Sequence, residues 1–287
     1  MGRTDPFAML PPTFSALSAL ADGLTREQLR SERLHRPTRE LYVVRRQAPG
    51  LTMRLGALLE LLPRTAVFSH GTAAMLLGLP DVGRGTATHV TVAPGGRAPQ
   101  RRGVIAHRST LLADDMCHVD GLAVTTPART FVDMAASLHL DYLVALGDAI
   151  LRLGPATGGT LRQRVGAAGG QRGVRRAREA LLLLDGRSDS VPESVIRVRI
   201  IGAGLPTPVP QCLVRDHAGR PIARLDLGLP EHRLGVDYDG RVHAEPGQFG
   251  KDLRRHTLLV AAGWRVLRAG AADLRDGSVE LITTLSP

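Results

Sequence analysis

The chain has few cysteines, few aromatic residues and almost no lysine. Its 287 residues include two cysteines, 3% aromatic residues and a single lysine, Lys251. Cys117 and Cys212 lie far apart and match no metal-ligand spacing, so a reducing, cytoplasmic setting is expected. Because aromatic residues are so scarce, the 43% of hydrophobic residues must build their cores mainly from Leu, Val and Ala.

Long apolar runs are also missing. The start, MGRTDPFAMLPP, is interrupted by charge and proline before an apolar segment can form, so no signal peptide is expected. The longest apolar runs, such as residues 180–184, are far shorter than a bilayer requires, and no membrane association is expected. The length suits two or three domains rather than one.

Positive charge is concentrated in the N-terminal two-thirds. The net charge is +10, from 37 basic and 27 acidic residues. Residues 1–187 hold 24 basic and 15 acidic residues, a balance of +9, whereas residues 188–287 hold 13 and 12, a balance of +1. Positive charge raises affinity for phosphate backbones through counterion release, so residues 1–187 are expected to do most of any DNA binding. A solvated basic surface that reflects genome composition is the alternative.

An acidic stretch, RLDLGLPEHRLGVDYDGRVH, occupies residues 224–243 and reads as two adjacent strands. Alternation places Arg224 and Asp226 on one face of the first strand, and Asp237 and Asp239 on one face of the second. Pairing would bring Asp226 beside Asp237, and a hard divalent cation such as Mg²⁺ relieves the repulsion between neighbouring carboxylates. Two amphipathic strands with solvated acids are the alternative interpretation.

The flanking segments add elements on both sides. Ser190 and Glu193 have the spacing of a capping box, so Glu193 either caps a helix or points toward the acidic pair. Residues 211–214 predict a strand, 249–262 a basic helix and 264–268 a further strand. The predicted order is helix, three strands, helix, strand.

This order and its spaced motifs resemble the PD-(D/E)XK nuclease fold, and within it the very-short-patch-repair-like endonucleases. The resemblance covers residues 188–287 and implies an α/β fold class with an αβββαβ mixed sheet. The matching motifs are Glu193, the R-x-D of Arg224 and Asp226, the D-Y-D-G-x-x-H of Asp237 to His243, Asp252 with Arg255, and the G-W-x-V-L-R of Gly263 to Arg268. The related endonucleases usually have Glu at the position of Asp237, and the general fold has Lys at the position of Asp239.

The resemblance also implies a reaction, the hydrolysis of phosphodiester bonds assisted by Mg²⁺ or Mn²⁺. Asp226 and Asp237 would hold the ion, with Glu193 helping directly or through water, and the ion would polarise phosphate and generate hydroxide. Asp239 could be a further ligand. His243 or Lys251 would assist proton transfer in place of the missing lysine.

Residues 13–45 predict a small helical module. Phe14, Leu17, Leu20 and Leu24 have helical spacing, a second helix is expected at 26–34 and a strand at 39–44. The L-T-R-x-Q-L of Leu24 to Leu29 resembles the winged helix-turn-helix that opens AbiEi-type antitoxins. The second helix is too short for a full recognition helix, so DNA binding and a degenerate structural remnant stay open as alternatives.

The middle of the chain resembles the rest of the AbiEi-like region. The matching segments are S-H-G-T-A-A at 69–74, G-L-P at 78–80 and T-T-P-A-R-T-F-V-D at 125–133. The predicted elements are a helix over 55–62, strands over 66–69, 90–92 and 104–107, a helix over 70–77, a hairpin over 116–125 and a helix from 127.

Two features of this region have simple structural explanations. His70 and His107 have no third ligand spaced to join them, so a capping or satisfied polar role is favoured over a metal or catalytic one. Arg129 and Asp133 are four residues apart on a helix, which predicts a local salt bridge.

Basic residues on helices provide the candidate DNA contacts. Residues 156–187 form a Gly- and Arg-rich segment that carries a helix. One face of this helix could present arginines to DNA phosphate while its leucines pack against the rest of the protein. The same arginines are equally consistent with a helix face that is only exposed to solvent. The DNA-binding candidates are Arg172, Arg175, Arg176, Arg224, Arg254 and Arg255.

The sequence therefore predicts four parts and a main function. The parts are a shortened winged-helix-like module (1–50), an AbiEi-like α+β domain (51–155), a basic helical connector (156–187) and a nuclease-like domain (188–287). The main expectation is a metal-dependent DNA endonuclease in DNA repair or in defence against foreign DNA. The alternative is a non-catalytic DNA-binding regulator or antitoxin that keeps a nuclease-like scaffold. A third interpretation is a module that binds a cognate toxin or another defence-system partner.

Overall fold

The computed structural model describes residues 7, 10–38, 40–45, 50–83, 85–95, 98–240 and 248–285. The chain divides into two compact units, Met1–Asp133 and Met134–Pro287. Both units combine helices with β-sheet, and two of the three sheets in the described residues mix parallel with antiparallel pairing, so the fold class is mixed α/β. The four-part division stays a prediction.

The first unit holds three helices and eight strands among the described residues, and a fourth helix crosses into the second unit. In chain order they are β1 (Thr13–Ser15), α1 (Ala16–Ala21), β2 (Leu34–Thr38), β3 (Leu41–Val44), α2 (Leu51–Leu59), β4 (Val67–Phe68), α3 (His70–Leu76), β5 (Thr88–Val92), β6 (Val104–Arg108), β7 (Met116–Val119), β8 (Leu122–Thr125) and α4 (Pro127–Met134).

The N-terminal module differs from the predicted pair of helices. Its strands form an antiparallel sheet in the order β1-β3-β2. The helix expected over 26–34 is wrong: only a 3₁₀ turn, Gln28–Arg30, forms there. Thr25 and Gln28 do exchange reciprocal capping hydrogen bonds, but the chain then enters β2, where Leu34 pairs with Val44. Strand pairing thus overrides a helical propensity, and no full recognition helix exists in the described part of this module.

A five-stranded sheet in the order β6-β5-β4-β8-β7 forms the body of the first unit. The β5–β6 and β4–β8 pairs are parallel, and the other two pairs are antiparallel. Phe68, Val90 and Val124 are almost fully buried and belong to one core with residues of α2. The predicted hairpin is confirmed: Asp120 and Gly121 both have positive φ, as a tight two-residue turn requires.

The second unit contains seven helices and four strands in its described residues. They are α5 (Leu140–Leu153), α6 (Gly158–Gly166), α7 (Val174–Leu183), α8 (Val191–Gly202), β9 (Val209–Arg215), β10 (Pro221–Leu229), β11 (Leu234–Tyr238), α9 (Gln248–Ala261), β12 (Arg265–Ala269), α10 (Ala271–Arg275) and α11 (Val279–Leu285).

The four strands form one mixed sheet in the order β12-β11-β10-β9. The β9–β10 and β10–β11 pairs are antiparallel, and β12 runs parallel to β11 because α9 returns the chain to the same end. From α8 to β12 the element order is the one that the sequence predicts. Ile196 and Ile200 of α8 pack in one core with Leu227 of β10 and Val236 of β11.

Helix α5 is a central helix that the sequence pattern did not reveal. It packs against α7 and α8 and buries eight of its residues. One of them, Asp148, accepts hydrogen bonds from Arg197 at 2.8 Å, from Ser194 at 2.7 Å and from the Asp185 N–H at 2.6 Å. This polar anchor joins α5, α7 and α8, so the AbiEi-like segment after residue 134 packs with α8. In the part of the chain that the structure describes, no helix is long and apolar enough to cross a bilayer.

Candidate functional site

Asp226 and Asp237 lie side by side on the paired strands β10 and β11. The register that pairs Leu227 with Val236 places them directly opposite each other. Asp237 Oδ1 accepts the Asp226 N–H at 3.1 Å, and Asp226 Oδ2 accepts the Tyr238 N–H at 2.7 Å. The two carboxylates therefore take over hydrogen bonds that a regular ladder would make between backbone groups, and they lie where the ladder between the two central strands ends. This end of the ladder is called the acidic edge below.

Burial and neighbouring charges change the pKa of the Asp226 carboxyl group. Burial raises the pKa of its carboxyl to about 6, and the charges of Glu193 and Asp237 add to the rise. The Tyr238 N–H and the guanidinium of Arg255 act in the opposite direction. Glu193, at the start of α8, is thus close enough to influence the pair, and Asp226 holds a proton more readily than an ordinary aspartate.

The neighbouring acids are already engaged by protein groups. Glu193 is 6% exposed; its Oε1 accepts the Ser190 hydroxyl at 2.8 Å, and its Oε2 accepts the Asp189 N–H at 2.9 Å and the Gln211 amide at 2.8 Å. Asp237 Oδ2 forms an ion pair with Arg255 Nη1 at 2.7 Å.

These partners limit metal binding at the acidic edge. The oxygens of Glu193, Asp226 and Asp237 do not form a set of ligand atoms within 4.8 Å of one another; within the described ranges one set of residues does so, and it lies elsewhere. A cation at the pair would compete with the guanidinium of Arg255 for Asp237 Oδ2.

Of the other predicted catalytic residues, the structure describes the side chain of Asp239. Asp239 is exposed after β11, and its Oδ2 lies 3.9 Å from Arg268 Nη1. His243 lies outside the described residues. Lys251 and Asp252 belong to α9, but their side chains are outside the described part of the structure.

The six arginines expected to contact DNA fall into two groups. Arg172, Arg175 and Arg254 are exposed, and Arg224 is exposed with its Nη2 3.8 Å from the Asp189 carboxylate. The remaining two hold internal positions: Arg176 donates to the carbonyls of Ala135 at 2.9 Å and Leu138 at 2.6 Å, and Arg255 donates to the Arg224 carbonyl and pairs with Asp237.

A buried ion network surrounds Arg129 in the first unit. The predicted local pair with Asp133 is confirmed at 2.8 Å. Asp115, immediately before β7, adds a second ion pair at 3.0 Å, and Ser109 accepts a further hydrogen bond at 2.7 Å. Because Arg129 is only 2% exposed, both carboxylates compensate a charge that would otherwise be buried alone.

Three half-buried histidines come together on the same unit. His70 begins α3, His89 lies on β5 and His107 on β6; each offers a ring nitrogen, and these atoms lie within 4.8 Å of one another. Burial lowers the pKa of His70 to about 3 and of His107 to about 4, and neighbouring histidines add to the shifts. Burial lowers the pKa of His89 as well. The expectation that no third ligand joins His70 and His107 is therefore wrong, because it overlooked His89. The favoured satisfied polar role agrees with the hydrogen bonds of His70 to Ser69 and of His107 to His89.

Comparisons with known proteins give a family and two relatives. Residues 65–186 match the family model described as the AbiEi antitoxin C-terminal domain. The uncharacterized proteins MT2308 and Rv2248 of Mycobacterium tuberculosis (strains CDC 1551 / Oshkosh and ATCC 25618 / H37Rv) are each 33% identical over 230 residues, which are 80% of this chain and 83% of each relative. The match to a crystal structure of the RV2827C protein from Mycobacterium tuberculosis covers 70% of this chain and 78% of that protein's chain, with 18% identity and a TM-score of 0.42.

Proposed function

Because the chain belongs to the family of the two mycobacterial proteins and contains an AbiEi antitoxin C-terminal domain at residues 65–186, we propose that it is a DNA-binding regulator of the antitoxin class. It would bind a cognate toxin and repress transcription from its own promoter. The domain match is the observation that carries this proposal. The C-terminal region would serve as a scaffold and not as a catalyst.

The charge distribution supports DNA binding through phosphate contacts. We define the arginine surface as four exposed residues on and beside α6 and α7: Arg162, Arg172, Arg175 and Arg178. None of the four forms an ion pair with a described residue, so their charges remain available to phosphate. Since the N-terminal module has only a 3₁₀ turn where a recognition helix would lie, affinity is expected to come mainly from such contacts.

The engagement of the acidic residues supports the scaffold role. Glu193 is fully occupied in capping α8 and in holding Gln211 of β9. Asp237 is neutralised by Arg255, and Asp239 stands where the nuclease fold has a lysine. Glu193 and Asp237 thus have protein partners that account for their presence without a metal ion.

Co-expression with the products of the adjacent genes tests the antitoxin role. A growth-inhibiting neighbour should lose its toxicity when the full chain is co-expressed, and the two should purify as one complex. Co-expression of the variant Arg129→Gln gives the comparison. This variant breaks a buried ion network of the AbiEi domain, so protection against the toxin should weaken. If no adjacent product is toxic, or if toxicity persists beside well-expressed full chain, the proposal fails.

A metal-dependent endonuclease is the second candidate, and it rests on the juxtaposition of Asp226 and Asp237. The element order from α8 to β12 and the mixed sheet agree with the nuclease resemblance. Asp226 and Asp237, with help from Glu193, would hold Mg²⁺ or Mn²⁺, which would stabilise charge on the phosphate. The raised pKa of Asp226 is typical of acids that gain from a cation.

Cleavage assays decide between the two candidates. Plasmid and mismatched duplexes would be incubated with the full chain in Mg²⁺, Mn²⁺ or EDTA. The nuclease candidate requires metal-dependent products that Asp226→Asn abolishes and that the control Glu231→Gln, an exposed acid outside the edge, retains. Products that persist equally in Asp226→Asn would come from a contaminating enzyme.

A further inference from the structure

We propose that His70, His89 and His107 form a binding site for a divalent transition-metal cation of the zinc class. The site lies in the first unit, where three different elements deliver the three rings. It involves none of the acidic residues at the sheet edge of the second unit. Its existence does not depend on the proposed function.

The spacing of the ring nitrogens fits a shared ion. His89 Nδ1 and His107 Nε2 lie 2.9 Å apart. Two nitrogens bound to one tetrahedral zinc at about 2.0–2.1 Å stand about 3.3 Å apart, so insertion of an ion needs a separation of only a few tenths of an ångström. The ring of His70 stacks on that of His107 with centroids 3.6 Å and planes 15° apart, and one of its nitrogens lies within 4.8 Å of the other two. Because imidazole lone pairs lie in the ring plane, binding of a shared ion requires the His70 ring to turn out of this stack.

The backbone brings the rings together for a clear reason. Strands β5 and β6 are parallel, with His89 opposite Ile105 and Thr91 opposite His107, so the two histidines are diagonal neighbours on one face. The opposite face carries the buried Val90 and Val92. The histidine face also carries Thr91 and Ile105, and His70 stacks on the two histidines from the start of α3.

Buried hydroxyl groups orient the ligands. Ser69 Oγ is hydrogen-bonded to His70 Nδ1 at 3.0 Å and accepts the hydroxyl of Thr91 at 2.8 Å. When His70 Nδ1–H donates to Ser69, Nε2 keeps its lone pair for an ion. Thr72 accepts the backbone N–H of His89 at 2.9 Å and fixes the strand beside it. Such outer partners are the usual support of histidine ligands.

The backbone of His70 is strained. Its φ is 53°, in the left-handed region that non-glycine residues seldom occupy. Residues in this region persist where the surroundings hold them, and they cluster at functional sites. The strain places the imidazole over β5 and β6 instead of leaving it in solvent.

A positive charge near the cluster is offset in part. The charge of Arg129 lowers the pKa of His70 and so acts against a cation there, and the ion pairs of Arg129 with Asp115 and Asp133 reduce this effect. A metal ion binds the neutral form of histidine, and burial favours that form by lowering the pKa of all three rings. A site of three neutral imidazoles suits Zn²⁺, Ni²⁺ or Cu²⁺ and disfavours Mg²⁺ and Ca²⁺. Because the rings are half-buried, a water molecule can take the fourth position.

Two variants and one control test the site in the full chain. His70→Asn removes an imidazole while asparagine tolerates the left-handed backbone, and His107→Gln removes a second ligand from β6. His118→Gln is the control, because His118 is an exposed histidine of β7 in the same unit. Metal-free proteins would be titrated with Co²⁺, followed by visible absorbance, and with Zn²⁺ in a calorimeter.

The expected result is one Zn²⁺ per chain with micromolar or tighter affinity in the wild type and in His118→Gln. Both ligand variants should bind at least roughly a hundredfold more weakly. At a hundredfold excess over its Kd, Zn²⁺ should also raise the melting midpoint of the wild type by roughly 5 °C or more. Absence of one-to-one binding in the wild type, or undiminished binding in folded His70→Asn and His107→Gln, would overturn the proposal.

Discussion

Arg255 Nη1 lies 2.7 Å from Asp237 Oδ2, so the carboxylate that a nuclease would offer to a metal is already paired with a guanidinium. The same guanidinium donates to the Arg224 carbonyl at 2.7 Å and ties α9 to β10. Arg254, the preceding residue, is exposed and takes no part in this arrangement. Two adjacent arginines that were both expected to contact DNA therefore have different surroundings.

We predict that Arg255→Gln lowers the free energy of unfolding by about 1.5–3 kcal/mol, the usual contribution of a hydrogen bond to a charged group. Arg254→Gln, its matched control, should change stability by less than about 0.5 kcal/mol. Urea unfolding followed by circular dichroism measures both. Equal stabilities of the two variants would show that the Arg255 pair contributes nothing to the fold.

The raised pKa of Asp226 predicts a pH-dependent stability. Its folded-state pKa is about 6, above the ordinary value of 3.8, so the folded chain holds a proton that the unfolded chain releases. Stability is therefore lost as the pH rises from about 4 through about 6. In EDTA, Asp226→Asn should melt higher than the wild type at pH 7.5 and show little difference at pH 4. A difference that is constant across this range, as expected for an exposed acid such as Glu231, would contradict the prediction.

The buried network of Arg129 predicts a large effect of mutation. Arg129→Gln leaves Asp115 and Asp133 buried without their cation, and the free energy of unfolding should fall by about 3–5 kcal/mol. Arg102→Gln, at an exposed position of the same unit, should have almost no effect. Thermal and urea unfolding give the comparison. A loss below about 1 kcal/mol in Arg129→Gln would show that the acids are solvated.

The arginine surface predicts a change in salt dependence. Replacing Arg172, Arg175 and Arg178 together by Gln should reduce the slope of log K against log salt by up to about 2.7, because three phosphate contacts are lost. The charge-matched control replaces Arg215, Arg220 and Arg265, which are exposed elsewhere in the second unit. Fluorescence anisotropy with a labelled duplex measures both slopes. The same reduction in the control would mean that net charge, and not this surface, governs binding.

Local signals in the sequence identified much of the fold. The Asp-Gly turn gave the β7–β8 hairpin, and the Ser190–Glu193 spacing gave the start of α8, with Ser190 accepting the Glu193 N–H. Alternation along β10 and β11 was sufficient to place Asp226 beside Asp237. These features depend on residues close in sequence or on one short strand pair.

Long-range contacts decided what the sequence could not show. The capping signal at Thr25 predicts a helix, but pairing of Leu34 with Val44 ends it after one 3₁₀ turn. The register of the parallel strands β5 and β6 brings His89 to His107, and parallel pairing leaves no local signature. Arg255 and Asp237 likewise meet through the return of α9 to the sheet, so their pairing was not evident from spacing.

The most direct measurement of the proposed function uses one end-labelled duplex that carries the promoter of this gene. The full chain would be incubated with it in Mg²⁺, and the same sample would be run on native and denaturing gels. A DNA-binding regulator predicts a retarded band on the native gel and an uncut strand on the denaturing gel. Absence of retardation, or products that disappear both in EDTA and in Asp226→Asn, would contradict it.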